Sequence, residues 1–121
     1  MSEAVAILGA SNQHYRHAYK AQLSLISNGH TAVPINPKYD IIDGIQCHPD
    51  LASCSHKIDT ITVYVRPFIL SNLVADIIES SPGRVILNPG TEDSNIIKQL
   101  QKADILVEVA CTLVLLRTSE F

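Results

Sequence analysis

Apolar residues in this chain fall into two alternating rhythms, short unbroken runs and longer stretches with helical spacing. Residues 5–8 (Val-Ala-Ile-Leu) form a run that stops at Gly9, the pattern of a strand buried on both faces. Tyr15, Tyr19, Leu23 and Ile26 then recur at spacings of four, four and three, one face of a helix. Asn28-Gly29 suits a left-handed cap at its end. Residues 31–35 read as a second strand, stopped by Asn36-Pro37. The stretch 38–57 is less regular: Ile41-Ile42 starts a short strand or a turn before Gly44, and residues 50–53 suit one helical turn. A β-branched run at 61–65 predicts a strand, and Pro67 then stands where a helix begins, with Leu70, Leu73, Val74 and Ile77 inward and Ser81-Pro82-Gly83 as its stop. Residues 84–87 predict the next strand, broken by Asn88-Pro89-Gly90. Thr91 is the expected N-cap of a helix through Ala103, with Ile96, Ile97 and Leu100 inward. A last strand is expected at 105–107, and the apolar segment 111–116 suits a helical turn or two covering the sheet edge.

Strands alternating with helices predict the α/β class: a Rossmann-like, doubly wound, mostly parallel sheet of about five strands with helices on both faces. The strand at 5–8 is expected at its centre. Residues 1–121 read as one domain, with no internal repeat and no linker. In such sheets ligands bind beyond the carboxyl ends of the strands, so chemistry is sought there.

Composition narrows the function classes. The chain has 121 residues, a net charge of −3 and 5% aromatic residues, which argues against a general nucleic-acid face. The N-terminus lacks a basic region before its short apolar run, unlike a signal peptide, and no apolar stretch reaches membrane-spanning length. A cytoplasmic location is the expectation. Cys47, Cys54 and Cys111 are odd in number and form no CxxC pair, so reduced thiols are expected, with Cys111 a buried packing residue.

At the strand ends, Gly9-Ala10-Ser11-Asn12 permits a tight turn into a helix whose N–H groups can meet a phosphate. Only the first glycine of a GxGxxG pattern is present, so an ordinary turn fits as well. Asn36-Pro37-Lys38 follows the second strand. An acid that would hold an unphosphorylated ribose is absent there, and Lys38 suits a ribose carrying a phosphate, as in coenzyme A or NADP; a solvated surface lysine is the alternative. Arg66, held by Pro67, can stack on a base, pair with a phosphate, or form a surface ion pair. Arg16, near the first helix, can reach a pyrophosphate or stand exposed. Asn88, Gly90 and Thr91 offer close backbone approach and a hydroxyl, although turn and cap chemistry account for them equally. No catalytic constellation is recognisable: Cys47-His48 are merely adjacent, and the five histidines show no metal-ligand spacing.

Taken together, these residues resemble the small stand-alone form of the CoA-binding domain family. The likeness runs through residues 5–11, Arg16 and Tyr19, then Gly29-His30 and Val33-Pro34-Ile35-Asn36-Pro37-Lys38, the most specific piece. It continues through Gly44, Cys47-His48-Pro49, Leu51, Ile58-Asp59, Arg66-Pro67 and the Cys111 segment. The resemblance implies a Rossmann-like fold similar to the CoA-binding part of succinyl-CoA synthetase. It further implies coenzyme A or an acyl-CoA at the strand ends, the loop at 9–11 on the phosphates, Lys38 and Arg66 facing the nucleotide, and no catalysis. Where many members carry a tryptophan-and-glutamine strand, this chain has Ile86-Leu87-Asn88-Pro89-Gly90, which marks a subgroup. Two alternatives stand beside a small-molecule binding module: a small NADP-dependent redox protein, and an interaction module that keeps the fold without a ligand.

Overall fold

The computed structural model describes residues 2–121. Five parallel strands form one sheet: β1 (Ala4–Leu8), β2 (Thr31–Ile35), β5 (Thr60–Val63), β6 (Arg84–Leu87) and β7 (Leu106–Val109), in the order β2-β1-β5-β6-β7. The expected strand at 5–8 is interior, but β5 is the middle strand, because the chain winds outward on both sides of β1 and β5. The inner strands β1 and β6 pack apolar side chains on both faces, which is why they read as unbroken runs, whereas β5 turns Ile61 and Val63 to one face and the hydrogen-bonded Thr60 and Thr62 to the other.

A short antiparallel hairpin, β3 (Ile41–Ile42) and β4 (Ile45–Gln46), lies outside the main sheet. Its two-residue turn, Asp43-Gly44, has positive φ at both positions (50° and 79°), as a type I′ turn requires. The short strand expected at Ile41-Ile42 before Gly44 is β3, while its pairing with β4 was not anticipated.

Helices α1 (His17–Ser27), α2 (Pro67–Leu70), α3 (Val74–Ser80), α4 (Ser94–Lys102) and α5 (Thr112–Arg117) cover the sheet. The inward face of α1 differs from the expected one. Tyr19 is buried, whereas Tyr15 precedes the helix, and Leu23 and Ile26 are exposed. The buried face is Ala18, Tyr19, Ala21, Gln22 and Leu25. Small alanines let α1 approach its neighbours closely, and Gln22 is admitted because its Nε2 donates to the Ile42 carbonyl at 3.0 Å. The helix expected from Pro67 to the Ser81 stop is broken into α2 and α3 by a turn at residues 71–73. Pro67 is the first helical residue of α2, as expected, and Ser81 closes α3 in the left-handed region.

Two apolar layers result. One, beneath α3 and α4, includes Ile61, Val63, Leu70, Ile77, Val85, Leu87 and Leu100. The other, beneath α1 and α5, includes Val5, Ile7, Ala18, Leu25 and Leu116. No helix is long and apolar enough to cross a membrane among the described residues.

Candidate functional site

The carboxyl ends of β1, β2 and β5 frame a cleft. At the end of β1 the backbone turns at Gly9, whose φ is +90°. A Cβ there would lie 2.8 Å from Val65 Cγ1 and 3.2 Å from the Tyr64 carbonyl carbon, so glycine is required twice over. The Gly9 and Ala10 N–H groups both donate to the Ile35 carbonyl, at 3.1 and 3.2 Å. They tie β1 to β2 and are not turned toward a ligand. Beyond them, Ser11 and Asn12 have N–H groups without an internal acceptor among the described residues. The Ser11 hydroxyl accepts from the Gln13 N–H at 3.1 Å and shapes the rest of the loop.

Asn36 staples this loop to the end of β2. Its Nδ2 donates to the Ala10 carbonyl at 2.7 Å, and its Oδ1 accepts from the Lys38 N–H at 2.8 Å. The second bond is an Asx turn, which Asn forms readily before a chain reversal. The cleft floor is therefore set by one side chain.

Two cavities meet here and share Gly9 and Asn36. The first, about 300 Å³, is walled mainly by Leu8, Ile35, Pro37, Val65, Ile69 and Leu73, with Asp50 and Asp76 at its edge. The Asp50 carboxylate accepts from the Ser53 N–H (2.8 Å) and hydroxyl (2.6 Å), which hold its pKa below the ordinary carboxylate range. The second cavity, about 400 Å³, is polar and lined by Ser11, Gln13, Arg16, Lys38 and Tyr39, without a carboxylate. Arg16 precedes α1; its Nε donates to Gln13 Oε1 at 3.3 Å, and its guanidinium lies over the Tyr15 ring, 5.5 Å from the centroid. Neither Arg16 nor Lys38 has an ion-pair partner among the described residues, where the two ion pairs join Arg84 to Glu3 and to Glu108.

A third cavity, about 150 Å³, adjoins the second: His17 and Tyr64 line both, and Asn88, Pro89 and Cys111 complete it. Cys111 is half-buried here rather than a packing residue of the core, because it sits at the end of β7 where the chain leaves the sheet for α5. Burial pushes the Tyr64 phenol up to about 12, and the nearby Cys111 adds to the shift. The Thr62 and Thr112 hydroxyls lie near the phenol and oppose the shift, but their geometry pairs them with each other and with Asn88. The Tyr64 hydroxyl is left without a hydrogen-bond partner.

Of the residues singled out from the sequence, Gly9, Ala10, Ser11, Arg16, Asn36 and Lys38 line one polar cavity. Pro37 lines the apolar one. Asn12 is exposed on the loop beside them. Arg66 is exposed and precedes α2; it lines neither cavity, although its neighbours Val65 and Ile69 do, and Pro67 follows it into the helix. The fourth strand end serves the fold. Asn88 Nδ2 donates to Thr62 Oγ1 and to the Val63 carbonyl, at 2.7 and 2.8 Å, and its Oδ1 accepts from the Thr112 N–H at 2.9 Å. Thr91 is not the cap of α4: its hydroxyl donates to the Asn88 carbonyl at 2.7 Å. Asp93 caps that helix, accepting from the N–H groups of Asn95 (2.9 Å) and Ile96 (3.1 Å). Gly90 turns with φ +91°, and its N–H donates to Glu92 at 2.8 Å.

Sequence reasoning missed Tyr64, Asp76 and His17. Tyr64 directly follows β5, a strand-end position that the search rule covers. Asp76 follows Ile69 and Leu73 at spacings of four and three, a carboxylate inside an apolar stripe. His17 carried no such signal.

Comparison with known proteins agrees with this architecture. The chain is 28% identical over 107 residues to an ADP-forming acetate–CoA ligase of Methanocaldococcus jannaschii, an alignment covering 83% of this chain and 15% of the ligase. The chain thus spans a small part of that relative's length. A crystal structure of an uncharacterized protein superposes with a TM-score of 0.94 at 31% identity, covering 100% of this chain and 99% of the other. A Thermus thermophilus protein superposes with a TM-score of 0.90 at 26% identity, covering 98% and 90%. The family model described as the CoA binding domain matches residues 3–117, and the chain therefore belongs to the CoA-binding domain family.

Proposed function

We propose that this protein binds coenzyme A or an acyl-CoA in the cleft at the ends of β1, β2 and β5, and that it does so without catalysis. The observation that carries the reading is the pair of cavities joined at Gly9 and Asn36, one apolar and one polar and cationic. Coenzyme A is divided the same way, into an aromatic base and a run of phosphates. The base fits the apolar cavity, where Asp76 offers an acceptor to its amino group. Carboxylates at that end and unpaired cations at the other orient the ligand, since phosphates avoid Asp50 and Asp76 and favour Arg16 and Lys38. The ribose then falls at the Gly9–Asn36 divide. Lys38 follows Pro37 at this boundary and takes the ribose 3′-phosphate, while Arg16 and the Ser11 and Asn12 N–H groups take the pyrophosphate.

Calorimetric titration with coenzyme A and with dephospho-CoA tests the assignment. The Lys38→Ala variant is expected to lose about five- to tenfold in affinity for coenzyme A, a charged contact reduced by its exposure to solvent, with little change for dephospho-CoA. Affinity for coenzyme A should fall as salt is raised. Equal losses for both ligands would refute the 3′-phosphate contact. Failure of the wild type to bind either ligand at millimolar concentration would leave the interaction-module reading in its place.

A further inference from the structure

His17 is a histidine set among cations. It is the first residue of α1, it is exposed, and it lines both the polar cavity and the small third one. Its imidazole makes no hydrogen bond and no ring contact among the described residues. The other histidines stand elsewhere. His14 stacks on Tyr19 with ring centroids 4.4 Å apart, the His30 Nδ1 accepts from the Glu3 N–H at 3.0 Å, and His48 and His56 meet edge to face at 6.1 Å. None of them lines the polar cavity.

The titratable and charged groups near it come from several elements. Tyr15 and Arg16 precede it in the loop, Lys38 and Tyr39 follow β2, Tyr64 follows β5, and Cys111 follows β7 in the third cavity. Lys20 comes further along α1, and α5, packed against α1, carries Arg117 as its one charged side chain. The hairpin brings two carboxylates. Asp40 precedes β3 and lies by Cys47, and Asp43 accepts from the Tyr19 hydroxyl at 3.1 Å. Neither lines the two cavities. Arg16 and Lys38 are therefore the charged side chains that share the polar cavity with His17. The first turn of α1 holds no acid, although acids are the residues favoured at that end of a helix. An anionic group of a ligand is the counter-charge that fits.

We propose that His17 is a proton-dependent phosphate ligand, pairing in its charged form with the pyrophosphate beside Arg16, so that the protein binds its ligand more tightly as the pH falls. This rests on the reading of the cleft as a coenzyme A site. Arg16 and Lys38 keep their charge at every physiological pH, whereas imidazole changes charge between about pH 5 and pH 8 and donates from both ring nitrogens once protonated. A bound pyrophosphate favours the imidazolium, and by reciprocity the imidazolium favours the pyrophosphate. Affinity therefore rises on acidification until the imidazole is charged in the free protein as well, and then levels off. His17 makes ligand retention respond to pH, while Arg16 and Lys38 supply a constant attraction.

Dephospho-CoA is the probe. Its pyrophosphate diester stays ionised throughout, and it lacks the 3′-phosphate, a monoester whose own second ionisation falls near about pH 6. Calorimetric titration at constant ionic strength should show wild-type affinity rising about three- to fivefold from about pH 8 to about pH 5.5, the size of an exposed charged contact. His17→Gln should abolish the rise. His17→Lys, charged at both pH values, should bind at the higher pH about as tightly as wild type does at the lower one. His14→Gln should keep the rise. Titrations in buffers of different ionisation enthalpy should show proton uptake on binding by wild type and none by His17→Gln. A wild-type affinity that does not change with pH, a rise that survives in His17→Gln, or one lost in His14→Gln would overturn the inference. Binding that is independent of pH removes the role of His17 and leaves the cleft assignment standing, whereas absence of binding at both pH values at millimolar concentration removes the cleft assignment as well.

Discussion

Replacing Gly9 by alanine isolates the requirement on which the cleft is built. The backbone there has φ +90°, and for an L-residue the left-handed region costs about 1–2 kcal/mol. The added methyl would also meet Val65 Cγ1 at 2.8 Å and the Tyr64 backbone at 3.2 Å. Val65 is β-branched and cannot swing aside freely, and the Tyr64 carbon is main chain, so overpacking adds about 1–3 kcal/mol. Together Gly9→Ala should destabilise the fold by about 2–5 kcal/mol. Gly29 supplies the control: its φ is +86°, yet nothing lies within 4 Å of an added Cβ. Gly29→Ala should therefore cost only the conformational part, about 1–2 kcal/mol. Urea denaturation followed by circular dichroism measures both, with unchanged m-values confirming that the unfolding transition is comparable. Equal losses at the two positions would refute the close-approach argument, since both have a positive φ near +90° and only Gly9 has the neighbours.

Asn88→Ala should destabilise the protein by about 2–4 kcal/mol, because it removes three buried hydrogen bonds and leaves the Thr112 N–H without its acceptor. Asn88→Asp should not restore the loss, as a carboxylate cannot donate to Thr62 and Val63; a loss below about 1 kcal/mol in chemical denaturation would make that hub dispensable. For Tyr64, burial raises the phenol from 10.0 to about 12 in the folded state. The stability this contributes is fully present below about pH 10 and is lost as pH rises toward about 12, roughly 2–3 kcal/mol in all, since the unfolded chain releases its proton first. Denaturation at about pH 9 and about pH 11 should show a steeper alkaline loss for wild type than for Tyr64→Phe; parallel slopes would contradict the burial assignment.

The alternation of strand and helix was legible in the sequence because it rests on local periodicity and on residues whose backbone preferences travel with them. The unbroken run at 5–8, the stop at Gly9, Pro67 opening a helix and the Asn36-Pro37 break all behave as their chemistry requires. Short-range patterns were less reliable where burial, rather than propensity, chose the outcome. The exposed Leu23 and Ile26 read as a core face, while the true face of α1 contains alanines and a glutamine that only a partner carbonyl on Ile42 makes acceptable. Thr91 was the expected cap of α4, but the cap is Asp93, because the Thr91 hydroxyl is spent on the Asn88 carbonyl.

The candidate site divides along the same line. Gly9 and the Asn36-Pro37-Lys38 segment announced themselves because each begins directly after a strand, and the order of strands in a parallel sheet brings such ends together. Which of them meet, and what lies between them, depended on register and packing. Asn36 reaches back across 26 residues to the Ala10 carbonyl, and Asp76 joins a wall begun by β1 and β2. Tyr64 lines two cavities that share no continuous stretch of chain. Sequence by itself determined the elements and the strand ends, since those are properties of neighbouring residues. Tertiary structure alone decided that Arg16 and Lys38 share a cavity, that Arg66 stands outside it, and that Cys111 lines a small cavity with His17 and Tyr64, because each depends on residues far apart in the chain.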